Sequence, residues 1–170
     1  MHLVIGGNGN VGSNLTEELH SRNFDYRVTI RHSNPFFLGN AYGDFDFINL
    51  PPTSKWPKNM DYVYLVAANS KIAECERDPT AWRVNVDAPI EIAQHYSRNG
   101  SAIIFISSDA VETCSGTAYA RQKAAAEAYM RTIDAAIIRP GRIAPERARE
   151  FAKFVVDVAL SHRSGIHRWR

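Results

Sequence analysis

Short apolar runs rich in β-branched and aromatic residues recur at residues 3–5, 27–30, 45–50, 62–67, 102–106 and 135–138. Runs this short with little polar alternation mark strands covered on both faces, as in a parallel sheet. Between most of them the apolar positions spread to helical spacing, over 11–22, 80–98, 117–132 and from about 145 to 162. Parallel strands need crossover connections and helices supply them, so the pattern predicts six strands in a doubly wound α/β sheet. Pro51-Pro52 and the Pro, Gly and Asn content of 32–59 exclude a long helix there, which leaves strands two to four joined largely by loops. The basic run from 163 to 170 reads as a frayed, solvated tail behind a single domain of residues 1–162.

Composition narrows the class. The 170 residues are 45% hydrophobic and 22% charged, the balance of one globular domain with a real core. A formal net charge of +2 gives no overall field toward nucleic acid or an anionic membrane, so a small molecule is the expected partner. No apolar run approaches the roughly 18 residues of a membrane span. Met1 leads directly into the first strand-like run without a leader pattern, so a cytoplasmic protein is expected. Cys75 and Cys114 are too few and too far apart for a C-x-x-C motif and read as free thiols, Cys114 as a spectator beside the candidate site. The histidines at 2, 20, 32, 95, 162 and 167 lack metal-ligand spacing, so no metal is expected. Trp56, Trp82 and Trp169 are scattered and form no stacking platform; Trp82 is assigned to the core.

After the first strand comes Gly6-Gly7-Asn8-Gly9-Asn10-Val11-Gly12, opening a helix with Val11, Leu15 and Leu19 on one face. A strand, a tight glycine turn and a helix N-terminus together make a cradle for a pyrophosphate, because the backbone must approach the anion and the first helical amides must face it. The spacing reads as G-x-G-x-x-G from Gly7 or G-x-x-G-x-x-G from Gly6, and either way predicts a dinucleotide held by Gly6, Gly9, Asn10, Val11 and Gly12 in a Rossmann-type fold. An acidic residue that would bond a ribose 2′-hydroxyl is absent from the end of strand two, where Arg31-His32-Ser33 stand instead. Arg offers a planar fork of donors to a 2′-phosphate, so NADP(H) is predicted over NAD(H). The plainer alternative is that Arg31 is a solvated strand-end charge.

The fifth strand delivers Ser107-Ser108-Asp109 to its C-terminal end, the edge where ligands of open α/β sheets collect. Eleven residues after Ser108 comes Tyr119, and Lys123 follows one helical turn later on the same face. A free phenol has a pKa near 10 and is a poor base, and a neighbouring ammonium would favour its ionised form. Ser108 can hold the substrate oxygen.

With these residues in order, joined by Leu65-Val66-Ala67-Ala68, Arg83-Val84-Asn85-Val86 and Arg139-Pro140-Gly141-Arg142-Ile143, the chain resembles the extended short-chain dehydrogenase/reductases over residues 1 to about 145. Ser107-Ser108-Asp109 and the stretch from Cys75-Glu76-Arg77-Asp78-Pro79 to Asn85 are similar to the reductases and epimerases of nucleotide-linked sugars, notably the dTDP-4-dehydrorhamnose reductase branch. That resemblance implies Tyr119 as acid/base, Lys123 on the nicotinamide ribose and tuning Tyr119, and Ser108 polarising a carbonyl. It implies further that Asn85 orders a proton-relay water and that Ala67, Ala68 and Arg139 contact the cofactor; His32 and Ser33, beside Arg31 at the end of strand two, are expected by its phosphate.

Two departures from the family pattern stand out. The segment from Ser108 to Tyr119 is short, with Glu112-Thr113 where a tyrosine-glycine pair is common, and the chain runs only about one helix past Arg139-Pro140-Gly141. Most of the substrate subdomain is therefore expected to be missing. Family members pair through two long helices, here 80–98 and 117–132, and Ala124-Ala125-Ala126 would permit close packing, so a homodimer is expected. Two classes of function follow: an NAD(P)-dependent oxidoreductase or epimerase moving a hydride at a carbonyl or alcohol carbon, or a non-catalytic dinucleotide sensor acting through a protein partner. The Ser108, Tyr119 and Lys123 set favours the enzyme, since a sensor has no chemical use for a tuned phenol.

Overall fold

The structure is a computed structural model and describes residues 1–30 and 41–169. Seven parallel strands form one sheet in the order β3-β2-β1-β4-β5-β6-β7: β1 (His2–Ile5), β2 (Tyr26–Ile30), β3 (Ala41–Asp44), β4 (Tyr62–Leu65), β5 (Ala102–Ile106), β6 (Ala136–Pro140) and β7 (Gly165–Trp169). The chain steps outward from β1 to β3 and then crosses back to β4 on the other side of β1. The loops after β1 and β4 therefore diverge, leaving the crevice between them where open α/β sheets bind ligands.

The apolar runs are buried on both sides. Leu3 and Ile5 of β1 join one core with Val63, Leu65, Ile103 and Phe105, under Ile92 and Met130. Val4 joins the opposite core with Tyr64, Ile104 and Ile138, under Leu15, Leu19, Phe151 and Val155. The helices that cover the two faces are α1 (Asn10–Ser21) and α7 (Ala148–Leu160) on one, and α4 (Ala88–Arg98) and α6 (Ala118–Thr132) on the other. Residues 80–98 form one helical stretch with a π-helical segment at Arg83–Asp87 between α3 (Thr80–Trp82) and α4. Two short helices, α2 (Ile72–Arg77) and α5 (Ala110–Thr113), were not evident from the sequence, being too brief to show a period.

Three expectations need correction. The third strand lies at Ala41–Asp44 rather than 45–50; Phe45 and Phe47 are buried, but as anchors of the loop that follows the strand. The segment read as a solvated tail is β7, paired in parallel register with β6 from Ala136↔Gly165 to Pro140↔Trp169. Trp169 packs on Phe151 and Phe154 and carries Arg147 over its ring, while Arg168 pairs with Glu112, so the tail's aromatic and charged residues are what dock it. Trp82 is not core: it is exposed, its indole N–H donating to Asp87 at 3.2 Å. Both cysteines are free thiols. Among the described residues no helix is long and apolar enough to cross a membrane, and no cluster of His, Cys, Asp and Glu could hold a metal.

Candidate active site

A cleft of about 990 Å³ runs along the C-terminal edge of the sheet, from the β1–α1 turn to the loop after β6. At one end the turn is made of main chain. Gly6 has φ +99°, and a Cβ there would lie 2.7 Å from the Cβ of Ala67. Gly12 packs the first helical turn onto the same loop, where a Cβ would fall 2.1 Å from the Gly6 carbonyl oxygen. The amides of Gly6 and Gly7 donate to the Thr29 carbonyl of β2, which pins the turn. Gly9 caps α1 with no side-chain hydrogen bond, and no acidic residue sits in the first turn. Gly6, Gly9, Asn10 and Val11 line the cleft, whereas Gly12 shapes it from behind. The leading amides of α1 are thus available to an anion, and the glycines leave the close approach that a pyrophosphate needs. Ala67 and Ala68, just past β4, line the same cleft.

At the other end the site is made of side chains. Strand β5 continues its pairing through the Ser107 amide to the Ile138 carbonyl, and alternation then buries Ser107 and turns Ser108 into the cleft. Thr117 caps α6 by accepting from the Ala120 amide, and Glu76 of α2 accepts from the Ala118 amide at 2.5 Å, so the helix start is fixed from two sides. This places Tyr119 on the cleft wall beside Ser108. Burial holds the Tyr119 phenol above its ordinary pKa, and the nearby Ser108 hydroxyl only partly opposes this. Lys123, one turn on, is buried; its ammonium donates to the Ile106 carbonyl at 2.8 Å and sits 4.6 Å from the centre of the Phe105 ring. Burial pulls the Lys123 pKa down to about 8, against the opposing pull of Glu127. The Lys123 ammonium is turned onto main chain, and burial sets the direction of the Tyr119 shift.

Asn85 and Arg139 are placed elsewhere than the sequence reading put them. Asn85 lies in the π-helical segment, wholly buried. Its amide donates to the Asn69 carbonyl at 2.9 Å and to Gln122 at 2.8 Å, and its oxygen accepts from the Asn69 amide at 2.8 Å. Both amide hydrogens are engaged, so Asn85 ties the β4–α2 loop to α6 and does not line the cleft. Arg139 is likewise outside the cleft, clamped to Glu127 by Nε at 2.8 Å and by a second guanidinium nitrogen at 2.5 Å, and paired with Glu112. Arg31, His32 and Ser33 lie outside the described residues.

Sequence reading missed the wall formed by Phe45, Asp46, Phe47 and Ile48, which the cleft shares with the glycine turn. The apolar run 45–50 reads as a strand in the sequence, whereas the strand ends at Asp44 and the run forms the loop wall. Arg142 after β6, part of the Arg139-Pro140-Gly141-Arg142 motif but given no role by the sequence, is exposed and in the cleft lining.

A phosphate-ready turn at the switch point, with a serine and a tyrosine-lysine helix at the same sheet edge, defines a protein of the short-chain dehydrogenase/reductase type. The chain belongs to the NAD dependent epimerase/dehydratase family, whose model matches residues 2–147. No curated protein matches the sequence. Among solved structures it is similar to a hypothetical dTDP-4-dehydrorhamnose reductase from Sulfolobus tokodaii, with TM-score 0.82 and 18% identity over 99% of this chain and 76% of that one. The dTDP-4-dehydrorhamnose reductase of Yersinia enterocolitica is similar over 99% of this chain and 73% of its own, with TM-score 0.77 and 20% identity. MoeE5, solved with UDP-glucose and NAD, matches 82% of this chain and 53% of its own, with TM-score 0.70 and 21% identity. At these identities the likenesses show the fold; the family model supports an NAD(P)-dependent oxidoreductase or epimerase.

Proposed function

We propose that the chain binds a nicotinamide dinucleotide, NADP(H) in preference to NAD(H), and interconverts a carbonyl and an alcohol on a small molecule, with a nucleotide-linked sugar as the leading substrate class. The observation that carries this reading is the meeting of Ser108 and Tyr119, from different elements, in the cleft that the glycine turn opens. The α1 amides with Gly9, Asn10 and Val11 would hold the pyrophosphate, Ala67 and Ala68 the wall beside it, and Lys123 the nicotinamide ribose. Arg31, His32 and Ser33, which follow β2 in sequence, would take the 2′-phosphate. When bound, the dinucleotide supplies or accepts the hydride.

Ser108 orients the substrate oxygen. Tyr119, kept protonated by burial, is the proton donor, a role that suits carbonyl reduction at neutral pH. Arg142 at the rim offers a charge to an anionic group on the substrate, and the half-buried Ala124 and Ala125 of α6 support a homodimer through α4 and α6 of a cytoplasmic protein. Titration of the purified protein with NADPH and NADH at matched salt tests the core of the reading. Tighter NADPH binding supports it, tighter NADH binding overturns the Arg31 assignment, and failure of both to bind moves the dinucleotide reading aside.

A further inference from the structure

Behind the cleft lies a chain of charges that proton and hydride transfer do not themselves require. Glu127 stands on α6 one turn after Lys123 and two after Tyr119, on the same face, and is wholly buried. Its carboxylate accepts from the Ser107 hydroxyl at 2.5 Å, from Arg139 at 2.8 and 2.5 Å, and from Arg131 at 3.1 Å. Ser107 ends β5 next to Ser108, and Arg139 belongs to β6, so this one carboxylate joins the helix of Tyr119 and Lys123 to both strands beneath the reacting edge. Arg139 continues the chain to Glu112, and Glu112 to Arg168 of β7.

A buried ion pair is a poor way to hold a strand to a helix, because apolar side chains of similar volume do so without the cost of desolvating two charges. What apolar packing cannot do is place a negative charge one turn from Lys123. The ionisable groups acting on Lys123 are Glu127 on its own helix and Cys75 on α2, while Tyr119 feels Ser108, Cys75 and Asp109. Of these, Glu127 is the wholly buried carboxylate, and it is held in place by donors from two strands.

We propose that Glu127 is the positioning residue of this site, its carboxylate keeping Lys123 in the ammonium form and, through Ser107, fixing where β5 presents Ser108. The proposal rests on the roles given above to Tyr119, Lys123 and Ser108, but its test reads Lys123 directly, with neither cofactor nor substrate. The chain has five lysines, so a titration followed through the lysine ε-carbon by NMR is simple to read, and the Lys123 signal is assigned by its loss in Lys123→Met.

Glu127→Gln alone leaves the buried Arg139 with only the half-exposed Glu112 as counter-charge, so the informative variant is Glu127→Gln with Arg139→Gln, which removes both charges of the buried pair. In it the Lys123 midpoint is expected to fall by about one pH unit or more. Arg139→Gln alone, which keeps the carboxylate, is expected to leave the midpoint unchanged or raise it, and Glu127→Asp to restore most of the wild-type value. A midpoint in the double variant within about 0.3 unit of wild type would overturn the proposal and leave Glu127 as a plain anchor for Arg139. So would an equal fall in Arg139→Gln alone. If the double variant fails to fold, Glu127→Gln with Arg139→Met takes its place and is read by the same limits. A failed NADPH titration would remove the dinucleotide reading while leaving this measurement intact.

Discussion

The two ends of the cleft are built on opposite principles. The β1–α1 turn works by omission: Gly6 and Gly12 stand where any Cβ would strike Ala67 or the Gly6 carbonyl, and what is offered to a ligand is bare main chain. The β5–α6 end works by addition, with Ser108, Tyr119 and Lys123 placed by a buried scaffold of Ser107, Glu127 and Arg139. The first needs only local sequence, since glycines, strand and helix are contiguous. The second needs residues brought together from 107 to 139, so its chemistry depends on the register of β5 and β6 and on the helix packed across them. On the function proposed above, binding is entrusted to a device that the backbone alone can make, and proton transfer to one that only the assembled core can hold.

The largest expected effect isolates the second end from the first. Tyr119→Phe should lower turnover by about 10²–10⁴-fold, with dinucleotide affinity changed by about twofold at most. Steady-state rates on an accepted carbonyl substrate and a fluorescence titration check the two halves; a rate near wild type would take Tyr119 out of the chemistry.

The next effect sets the cleft as a whole against the opposite sheet edge. There His2 is buried, its Nδ1 2.9 Å from the Tyr64 hydroxyl, and burial together with the adjacent N-terminal charge lowers its pKa to about 4. Because the folded value lies below the ordinary 6.5, the unfolded chain binds the proton more readily. Stability is therefore full above about pH 6.5 and is lost as the pH falls toward 4, by at most about 3 kcal/mol. Urea unfolding at pH 7 and pH 4.5 measures this, and His2→Gln should flatten the difference. A slope that survives in His2→Gln belongs to other groups.

Gly12→Ala probes the first end. Relieving a contact of 2.1 Å must move the turn, at a cost of about 1–3 kcal/mol of stability. The dinucleotide should then bind about tenfold or more weakly. Wild-type affinity in a folded Gly12→Ala protein would show that the turn is not what holds the ligand. The smallest effect is expected at the rim, where Arg142→Ala should raise KM for an anionic carbonyl compound by about twofold to fivefold. A fall in kcat instead of a rise in KM would place Arg142 closer to the reacting atoms.

These contrasts also mark where sequence reading succeeds. The strands read at residues 3–5, 62–67 and 102–106 were legible because two-sided burial leaves an unbroken apolar run, and the glycine turn because it is made of adjacent residues. Ser108, Tyr119 and Lys123 were legible through their order and spacing. Strand β7 was not, because its half-exposed Gly-Ile-His-Arg-Trp is stabilised by contacts to Phe151, Phe154 and Glu112, all distant in sequence. Arg139 was misplaced for a related reason: its position before Pro140-Gly141 suggested the cleft, while its partners Glu127 and Glu112 drew it beneath.

By itself, then, the sequence determined the doubly wound sheet, the glycine turn after β1 and the order in which Ser108, Tyr119 and Lys123 reach one sheet edge, since each is written in local periodicity or spacing. Only the tertiary structure decided that Asn85 is a buried tie, that Lys123 rests on the Ile106 carbonyl, and that Glu127 gathers Ser107, Arg139 and Arg131 beneath the site. Hydrogen bonds and charges act through space over a few ångströms, and no local pattern records which distant residue will supply the partner.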